Sequence, residues 1–180
     1  MEWWHALILG IVEGFTEFLP ISSTGHVTIL ANLFGYTIND PDITAFTAII
    51  QIGAIFAAIW YFRKDIIRIA AAWIRGIFHK KERGTLDYRF GWAVIIGSVP
   101  IAVVGFVFRH QIETTLRSLW IVAIALIAWS AVMWYADTHA SQKKKEKNVG
   151  WRDTLMIGLA QCLALIPGIS RSGATMSVGL

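Results

Sequence analysis

Three long apolar runs constrain what this chain can fold into more than any other feature of its sequence. They cover residues 43–62, 88–108 and 118–136. A helix needs about 20 residues to cross a hydrocarbon core of roughly 30 Å. Because backbone polar groups find no water there, a crossing segment must be a helix or part of a closed barrel. The runs, in a chain that is 56% hydrophobic and 16% charged, predict an all-α polytopic membrane protein.

Basic residues are concentrated in two segments, 63–89 after the first apolar run and 137–152 after the third. Two runs separate the segments, so both lie on one side of the membrane, and Lys and Arg accumulate in cytoplasmic loops. We therefore predict that loops 63–87 and 137–150 are cytoplasmic, with an interfacial amphipathic helix at 66–77. The net charge of +4 then reflects topology and contact with anionic lipid. No nucleic-acid partner is expected, since basic and aromatic residues are not interleaved on a polar chain.

Two short segments repeat one pattern with a shift of 148 residues and no gap. They are GIVEGFTEFLPISSTGH at 10–26 and GLAQCLALIPGISRSGA at 158–174. Gly25 aligns with Gly173, and Glu13 aligns with Gln161. A duplicated apolar segment that Gly and Pro interrupt points to a binding site where two membrane repeats meet.

The first copy predicts a re-entrant hairpin, with a helix at 3–19, a turn at 20–23 and a helix at 24–34. Broken backbone is tolerated at membrane depth where protein buries it or where it lines a wet cavity. Three spans follow, so the second copy starts from the opposite side of the membrane and the architecture is an inverted repeat with two re-entrant helical hairpins.

The predicted domains follow from this count. The first repeat is 1–148, with the re-entrant hairpin at 1–35 and the three spans, and a second, inverted repeat starts at 149–180. We expect the chain to be a fragment of a longer protein, whose further residues complete the second repeat.

Glu13 and Glu17 lie four residues apart, on one face of the first predicted helix. A charged side chain near the middle of a bilayer costs about 2.5–3.5 kcal/mol on insertion scales, and two neighbouring carboxylates also repel each other. A divalent cation, a proton or a basic partner must compensate. Mg²⁺ suits carboxylates combined with substrate phosphates. The alternative is a structural pair with one protonated member.

Ser22, Ser23 and Thr24 stand at the start of the second predicted helix. One hydroxyl is expected to cap the free amides there, while the remaining N–H groups and the helix dipole favour an anion. His26 follows Ser23 by three residues, and a hydroxyl beside an imidazole suits nucleophilic catalysis. The alternative for His26 is a hydrogen bond without a catalytic role.

Arg171 lies in the counterpart turn of the second copy. It is costly at this depth unless it faces an anion, and its guanidinium matches phosphate bidentately. An ion pair with an acid of the first copy is the alternative. Ser170, Ser172 and Thr175 supply further donors or a second helix cap, and Gln51, in mid-span, predicts an interhelical hydrogen bond.

The motifs EGFTEFLPISSTGH at 13–26 and PGISRSGAT at 167–175 closely resemble the two signature motifs of the undecaprenyl-diphosphate phosphatase family, also called bacitracin-resistance proteins. The resemblance extends over the whole chain. It implies hydrolysis of undecaprenyl diphosphate to undecaprenyl phosphate and inorganic phosphate. That reaction recycles the lipid carrier for peptidoglycan synthesis, gives bacitracin resistance and places a multi-pass protein in the bacterial inner (plasma) membrane.

The resemblance also implies roles for single residues. Glu13 and Glu17 resemble the acidic pair that the family associates with a metal, Mg²⁺ or Ca²⁺. The predicted catalytic residues are Ser23, His26, Glu17 and Arg171, and the predicted substrate-binding residues are Ser22, Thr24, Arg171, Ser170, Ser172 and Thr175.

A transporter or flippase for an anionic lipid headgroup is the alternative function, because inverted repeats and broken helices are typical of transporters. The expected partners are the bilayer and a polyprenyl diphosphate lipid. The nucleophile stays open between Ser23, Ser22 and a water activated by His26. The metal, the length of the lipid chain and the oligomeric state stay open as well, a homodimer included.

Overall fold

The computed structural model describes residues 1–38, 40–140 and 149–179, and all regular structure in these residues is helical. The α-helices are α1 (Trp3–Phe18), α2 (Ser23–Leu33), α3 (Pro41–Tyr61), α4 (Arg63–Phe78), α5 (Leu86–Val107), α6 (Arg109–Thr114), α7 (Leu119–His139), α8 (Trp151–Leu163) and α9 (Arg171–Gly179). A 3₁₀-helix, Lys80–Gly84, connects α4 to α5.

The three apolar runs form α3, α5 and α7, which are 21 or 22 residues long with mean hydropathy between 2.0 and 2.2. Each is long and apolar enough to cross a membrane. Most of their surface is exposed to the surroundings, as a lipid-facing helix requires. The prediction of an all-α, membrane-type fold is therefore confirmed.

Local sequence signals set where these helices begin. α3 starts at Pro41, because Asp40 accepts a hydrogen bond from the Asp42 amide at 2.9 Å and proline suits the first helical position. α5 starts after Thr85, whose hydroxyl accepts from the Tyr88 amide.

Two helical hairpins lie at the two ends of the described chain. α1 and α2 pack on each other and on α3, burying Leu9, Val27, Ala31 and Ile43. α8 and α9 form the second hairpin. The bounds of α1 and α2 agree with those of the predicted helices to within one residue. The agreement is close because Pro20 and the serines after it interrupt the helix locally.

Helix α8 lies directly against α5, and two glycines allow this contact. A Cβ at Gly158 would lie 2.7 Å from the carbonyl oxygen of Gly97. Gln161 donates to the same carbonyl at 3.3 Å. The second hairpin is thus fixed to α5 by backbone contact that any side chain at Gly158 would obstruct.

Both hairpins also contact α7, at positions that the sequence repeat makes equivalent. A Cβ at Gly25 would lie 3.1 Å from Leu126, and one at Gly173 would lie 2.8 Å from the Met133 sulfur and 3.0 Å from Trp129 Nε1. α7 therefore supports the starts of α2 and α9 on successive turns.

Helix α4 has the amphipathic pattern that the sequence predicts, and it packs on α5. A Cβ at Gly91 would lie 2.8 Å from the Trp73 side chain, and Arg68 forms ion pairs with Asp65 at 3.0 Å and with Asp87 at 3.2 Å. Its isoleucines at 66, 67, 74 and 77 are exposed. Most of the second basic loop, residues 141–148, lies outside the described part of the chain.

Candidate active site

Ser23 and Glu17 form a hydrogen bond across the turn of the first hairpin. The Ser23 hydroxyl donates to Glu17 Oε2 at 2.5 Å. Ser23 is the first residue of α2 and is only 6% exposed, while Glu17 lies in the last turn of α1. A hydroxyl that donates to a carboxylate has a base in place to receive its proton.

Ser22 caps α2 from a left-handed backbone conformation. Its φ is +68°, and among the described residues other than glycine it alone has a positive φ. Its hydroxyl accepts a hydrogen bond from the Gly25 amide at 3.3 Å. The predicted serine cap is therefore present. A non-glycine residue in this region costs of order 1–3 kcal/mol and persists only where its surroundings enforce it.

His26 does not bond to Ser23, although the two residues are three positions apart. Its Nδ1 lies 2.8 Å from the carbonyl oxygen of Ser22. A carbonyl only accepts, so Nδ1 carries the proton and Nε2 is the acceptor in the neutral ring. The imidazole lines a groove against α7, with Leu126, Trp129 and Met133. The expected Ser23–His26 contact is thus replaced by Ser23–Glu17.

The second hairpin repeats the cap of the first. Ser170 is 5% exposed, and its hydroxyl accepts from the Gly173 amide at 3.1 Å. Ser170 and Ser172 share a hydrogen bond of 3.0 Å. Ser170 and Gly173 are the repeat equivalents of Ser22 and Gly25, so the same serine cap starts both return helices.

The turns of the two hairpins touch each other. The Ser172 hydroxyl donates to the Leu19 carbonyl oxygen at 3.5 Å, and a Cβ at Gly173 would lie 3.2 Å from the carbonyl oxygen of Pro20. Between them lies a cavity of about 50 Å³. It is lined by Thr16, Glu17, Ser22, Ser23, Thr24, Gln51, Ala164, Ile169, Ser170, Arg171 and Ser172.

Positively charged and partially positive groups line one side of this cavity, opposite the carboxylate of Glu17. α2 begins at Ser23 and α9 at Arg171, so the amino ends of both helices lie at its wall. Free amides and helix dipoles at such ends attract anions. Arg171 adds a full charge, is exposed, and forms no ion pair with Glu13 or Glu17. The arrangement suits a phosphate group.

Three of the predicted site residues lie outside this cavity. His26 lines the groove on α7. Thr175 donates its hydroxyl to the Ser172 carbonyl at 2.8 Å, so it stabilises the first turn of α9. Glu13, 4% exposed, lines a second cavity of about 240 Å³, next to Thr24 and Gln51.

The two acidic residues of α1 are the candidate ligands for a hard cation. Within the part of the chain that the structure describes, no three His, Cys, Asp or Glu side chains cluster for a metal. Mg²⁺ is often bound by one or two carboxylates together with substrate phosphates and water. Glu13 and Glu17 are oxygen donors one turn apart, and Gln51 and Thr24 border both cavities. The donor set fits a substrate-dependent Mg²⁺ or Ca²⁺.

Sequence reasoning assigned no site role to three residues that the structure places at these cavities. Gln51 lines both of them, and its position in mid-span was the signal that could have indicated this. Trp129 lines the groove with a buried, unpaired Nε1. Arg117 lines the larger cavity, and nothing local in the sequence distinguishes it from other loop arginines.

Comparisons with known proteins converge on one family. The family model described as "Bacitracin resistance protein BacA" matches residues 6–180. The chain is similar to "Undecaprenyl-diphosphatase 3" of Frankia casuarinae, with 65% identity over 98% of this chain and 63% of that protein. It is similar to "Undecaprenyl-diphosphatase" of Cutibacterium acnes, with 59% identity over 100% of this chain and 64% of the relative. The chain thus spans less than two thirds of the length of these curated relatives.

Proposed function

The chain belongs to the bacitracin resistance protein BacA family, and we propose on this premise that its site hydrolyses undecaprenyl diphosphate to undecaprenyl phosphate and inorganic phosphate. The observation that carries the proposal is the Ser23–Glu17 hydrogen bond in a cavity that Arg171 also lines. A nucleophile with its base beside a phosphate-binding cation is what phosphoryl transfer requires. The product lipid would return to peptidoglycan synthesis, which accounts for bacitracin resistance.

In the first step the Ser23 oxygen attacks the terminal phosphorus, and its proton passes to Glu17. The bond from that phosphorus to the bridging oxygen breaks, and undecaprenyl phosphate leaves with the bond electrons. Water then attacks the phosphoserine, loses a proton to a neighbouring base and releases inorganic phosphate. We assign this base to His26: its Nε2 is the acceptor while Nδ1 donates to the Ser22 carbonyl, and its groove on α7 shares Ser170 with the cavity.

Charge stabilisation comes from the second hairpin. Arg171 and the amino ends of α2 and α9 neutralise oxygens on which negative charge develops. Ser22 and Ser170 hold these ends in position through their caps, while Thr24 and Ser172 offer further donors to the phosphate.

Glu13 and Glu17 are the residues that would hold Mg²⁺ or Ca²⁺, together with oxygens of the diphosphate. When bound, the cation supplies neutralisation of the phosphate charge. Glu17 also accepts from Ser23, so one carboxylate would serve both the cation and the nucleophile.

The groove on α7 suits the isoprenoid chain of the substrate. It is lined mainly by apolar side chains and includes Ser170, which also lines the smaller cavity between the hairpins. A headgroup in the cavity would leave the first isoprene units against Leu126, Trp129 and Met133. The rest of the chain would remain in the bilayer.

The proposed architecture is an inverted repeat in the bacterial inner membrane. Residues 1–148 are the first repeat and 149–180 begin the second, with α1–α2 and α8–α9 as re-entrant hairpins. Support comes from their touching turns and from the equivalent contacts of Gly25 and Gly173 with α7. The basic loops 63–87 and 137–150 would be cytoplasmic. A homodimer is compatible with the exposed apolar surface.

Hydrolysis and transport are separated by an assay without a bilayer. Purified protein in detergent should release phosphate from undecaprenyl diphosphate, and Glu17→Gln should lower the rate of release by about 10²-fold or more. Glu82→Gln, on the exposed 3₁₀-helix away from the site, is the matched control and should retain activity. A wild-type protein that binds the lipid without releasing phosphate would be a transporter or flippase instead.

A further inference from the structure

The cavity of about 240 Å³ that Glu13 lines extends away from the candidate active site. Thr24 and Gln51 border both cavities, so the two adjoin. The far part is lined by Tyr36, Thr37 and Ile38, between α2 and α3, and by Arg117, just before α7. These connections lie at the ends of α3 and α7 opposite to the basic loops.

The lining of this cavity is more apolar than polar, and five threonines stand among its apolar side chains. It includes the hydroxyls of Thr24, Thr28, Thr37, Thr44 and Thr47. Thr44 and Thr47 donate to backbone carbonyls, of Asp40 at 3.0 Å and of Thr44 at 2.9 Å. Thr24, Thr28 and Gln51 also line the cavity, and their side chains make no hydrogen bond to a described residue. A row of free donors suits a hydrated anion better than a lipid chain.

Arg117 is the cation of this cavity. Its side chain is half-buried and forms no ion pair or hydrogen bond with any residue that the structure describes. A partly desolvated guanidinium without a protein partner is a strong site for a phosphate oxygen pair. Arg117 also precedes the amino end of α7, whose dipole adds positive potential.

We propose that Arg117, with Thr28 and Gln51, forms a second phosphate-binding site, which receives inorganic phosphate released from the active site. This inference rests on the proposed function. The positions of the charged residues support this proposal. The carboxylate of Glu13 lies one helical turn from Glu17, on the active-site side of the cavity, whereas Arg117 lies in the connection between α6 and α7. A phosphate dianion that moves from the carboxylates toward Arg117 gains electrostatic energy.

The first arm of the test is direct binding of inorganic phosphate, measured by tryptophan fluorescence in detergent without lipid substrate. Arg117→Gln should weaken phosphate binding by about tenfold or more, and Arg117→Lys should recover part of it. Arg109→Gln is the matched control, because Arg109 stacks on Phe106 and does not line the cavity. Unchanged binding in Arg117→Gln, or equal losses in both glutamine variants, would overturn the proposal.

The second arm is product inhibition of phosphate release. In Arg117→Gln the inhibition constant for added phosphate should rise by a similar factor, while KM for undecaprenyl diphosphate stays within about twofold. A rise in KM with an unchanged inhibition constant would assign Arg117 to the lipid headgroup and overturn the product site. Thr28→Val repeats the test without changing charge.

The two arms keep this inference distinct from the proposed hydrolysis. Arg117-dependent phosphate binding in a protein that fails to hydrolyse the lipid would disprove the hydrolysis and support the site. Hydrolysis of the lipid, together with phosphate binding that is unchanged in Arg117→Gln, would support the proposed hydrolysis and disprove the second phosphate site.

Discussion

The hydroxyl of Ser23 lies 2.5 Å from Oε2 of Glu17, which joins two helices of one hairpin through a single hydrogen bond. The residues are six positions apart, with the interrupted turn at Pro20 between them. The proton donor and its acceptor are therefore held by backbone geometry and need no other residue to bring them together.

Because Ser23 and Glu17 act in the same proton transfer, we expect the effects of substituting them on kcat to be non-additive. Ser23→Ala and Glu17→Gln should each lower kcat for phosphate release by about 10²–10⁴-fold, because each removes one half of the same proton transfer. The double variant should lose little more than the worse single variant. Losses that multiply would show that Glu17 acts on the substrate independently of Ser23.

Arg171→Lys should lower kcat by about tenfold or more, since a lysine cannot form the bidentate contact with phosphate. Arg152→Lys is the control, because Arg152 is exposed and stacks on Trp151 outside the cavity. Steady-state kinetics with undecaprenyl diphosphate would measure both. A kcat/KM for Arg171→Lys near that of the wild type would remove Arg171 from phosphate binding.

Equivalent glycines at the two hairpins should respond differently to alanine. A Cβ at Gly173 meets Met133, Trp129 and the Pro20 carbonyl, whereas the three atoms nearest to one at Gly25 all belong to the flexible Leu126 side chain. Gly173→Ala should therefore displace its hairpin and lower kcat by about tenfold or more, because small misplacements of catalytic groups are costly. Gly25→Ala should lose much less, and equal losses would contradict the packing difference.

A second glycine pair tests the fold alone. Gly158→Ala places a methyl group 2.7 Å from the Gly97 oxygen and should destabilise the protein by about 1–3 kcal/mol. Gly10, its repeat equivalent, faces open space. Gly10→Ala should be neutral or stabilising by up to about 1 kcal/mol, from helix propensity. Thermal unfolding in detergent, followed by circular dichroism, would compare them; similar shifts would argue against the α5–α8 contact.

Local rules account for what the sequence predicted well. Apolar run length predicted α3, α5 and α7, and the proline-serine interruption predicted the turn between α1 and α2. The serine caps at Ser22 and Ser170 follow from the same chemistry, since a helix start leaves amides unpaired. Each of these features depends on residues close together in the chain.

Turn geometry and tertiary packing account for what it missed. Helical spacing placed His26 beside Ser23, but Ser23 starts α2 and turns back to Glu17, while His26 bonds to the Ser22 carbonyl. Spacing placed Glu13 and Glu17 one turn apart on α1, but it did not show that Glu13 lines the larger cavity and Glu17 the smaller one, because residues of other helices complete both cavities. Periodicity gives the face of a helix and not its neighbours.

Helix α7 carries no motif residue, yet the starts of α2 and α9 rest on it at Leu126, Trp129 and Met133. A change in the volume of one of these side chains would displace the start of α2 or of α9, and with it the site residues that this helix carries. In a saturation mutagenesis screen for function, this stripe should therefore tolerate few substitutions, whereas the opposite, lipid-facing side of α7 should accept most apolar residues. The positions of α7 that tolerate few substitutions would then recur with the period of a helix, although no residue of α7 takes part in the reaction.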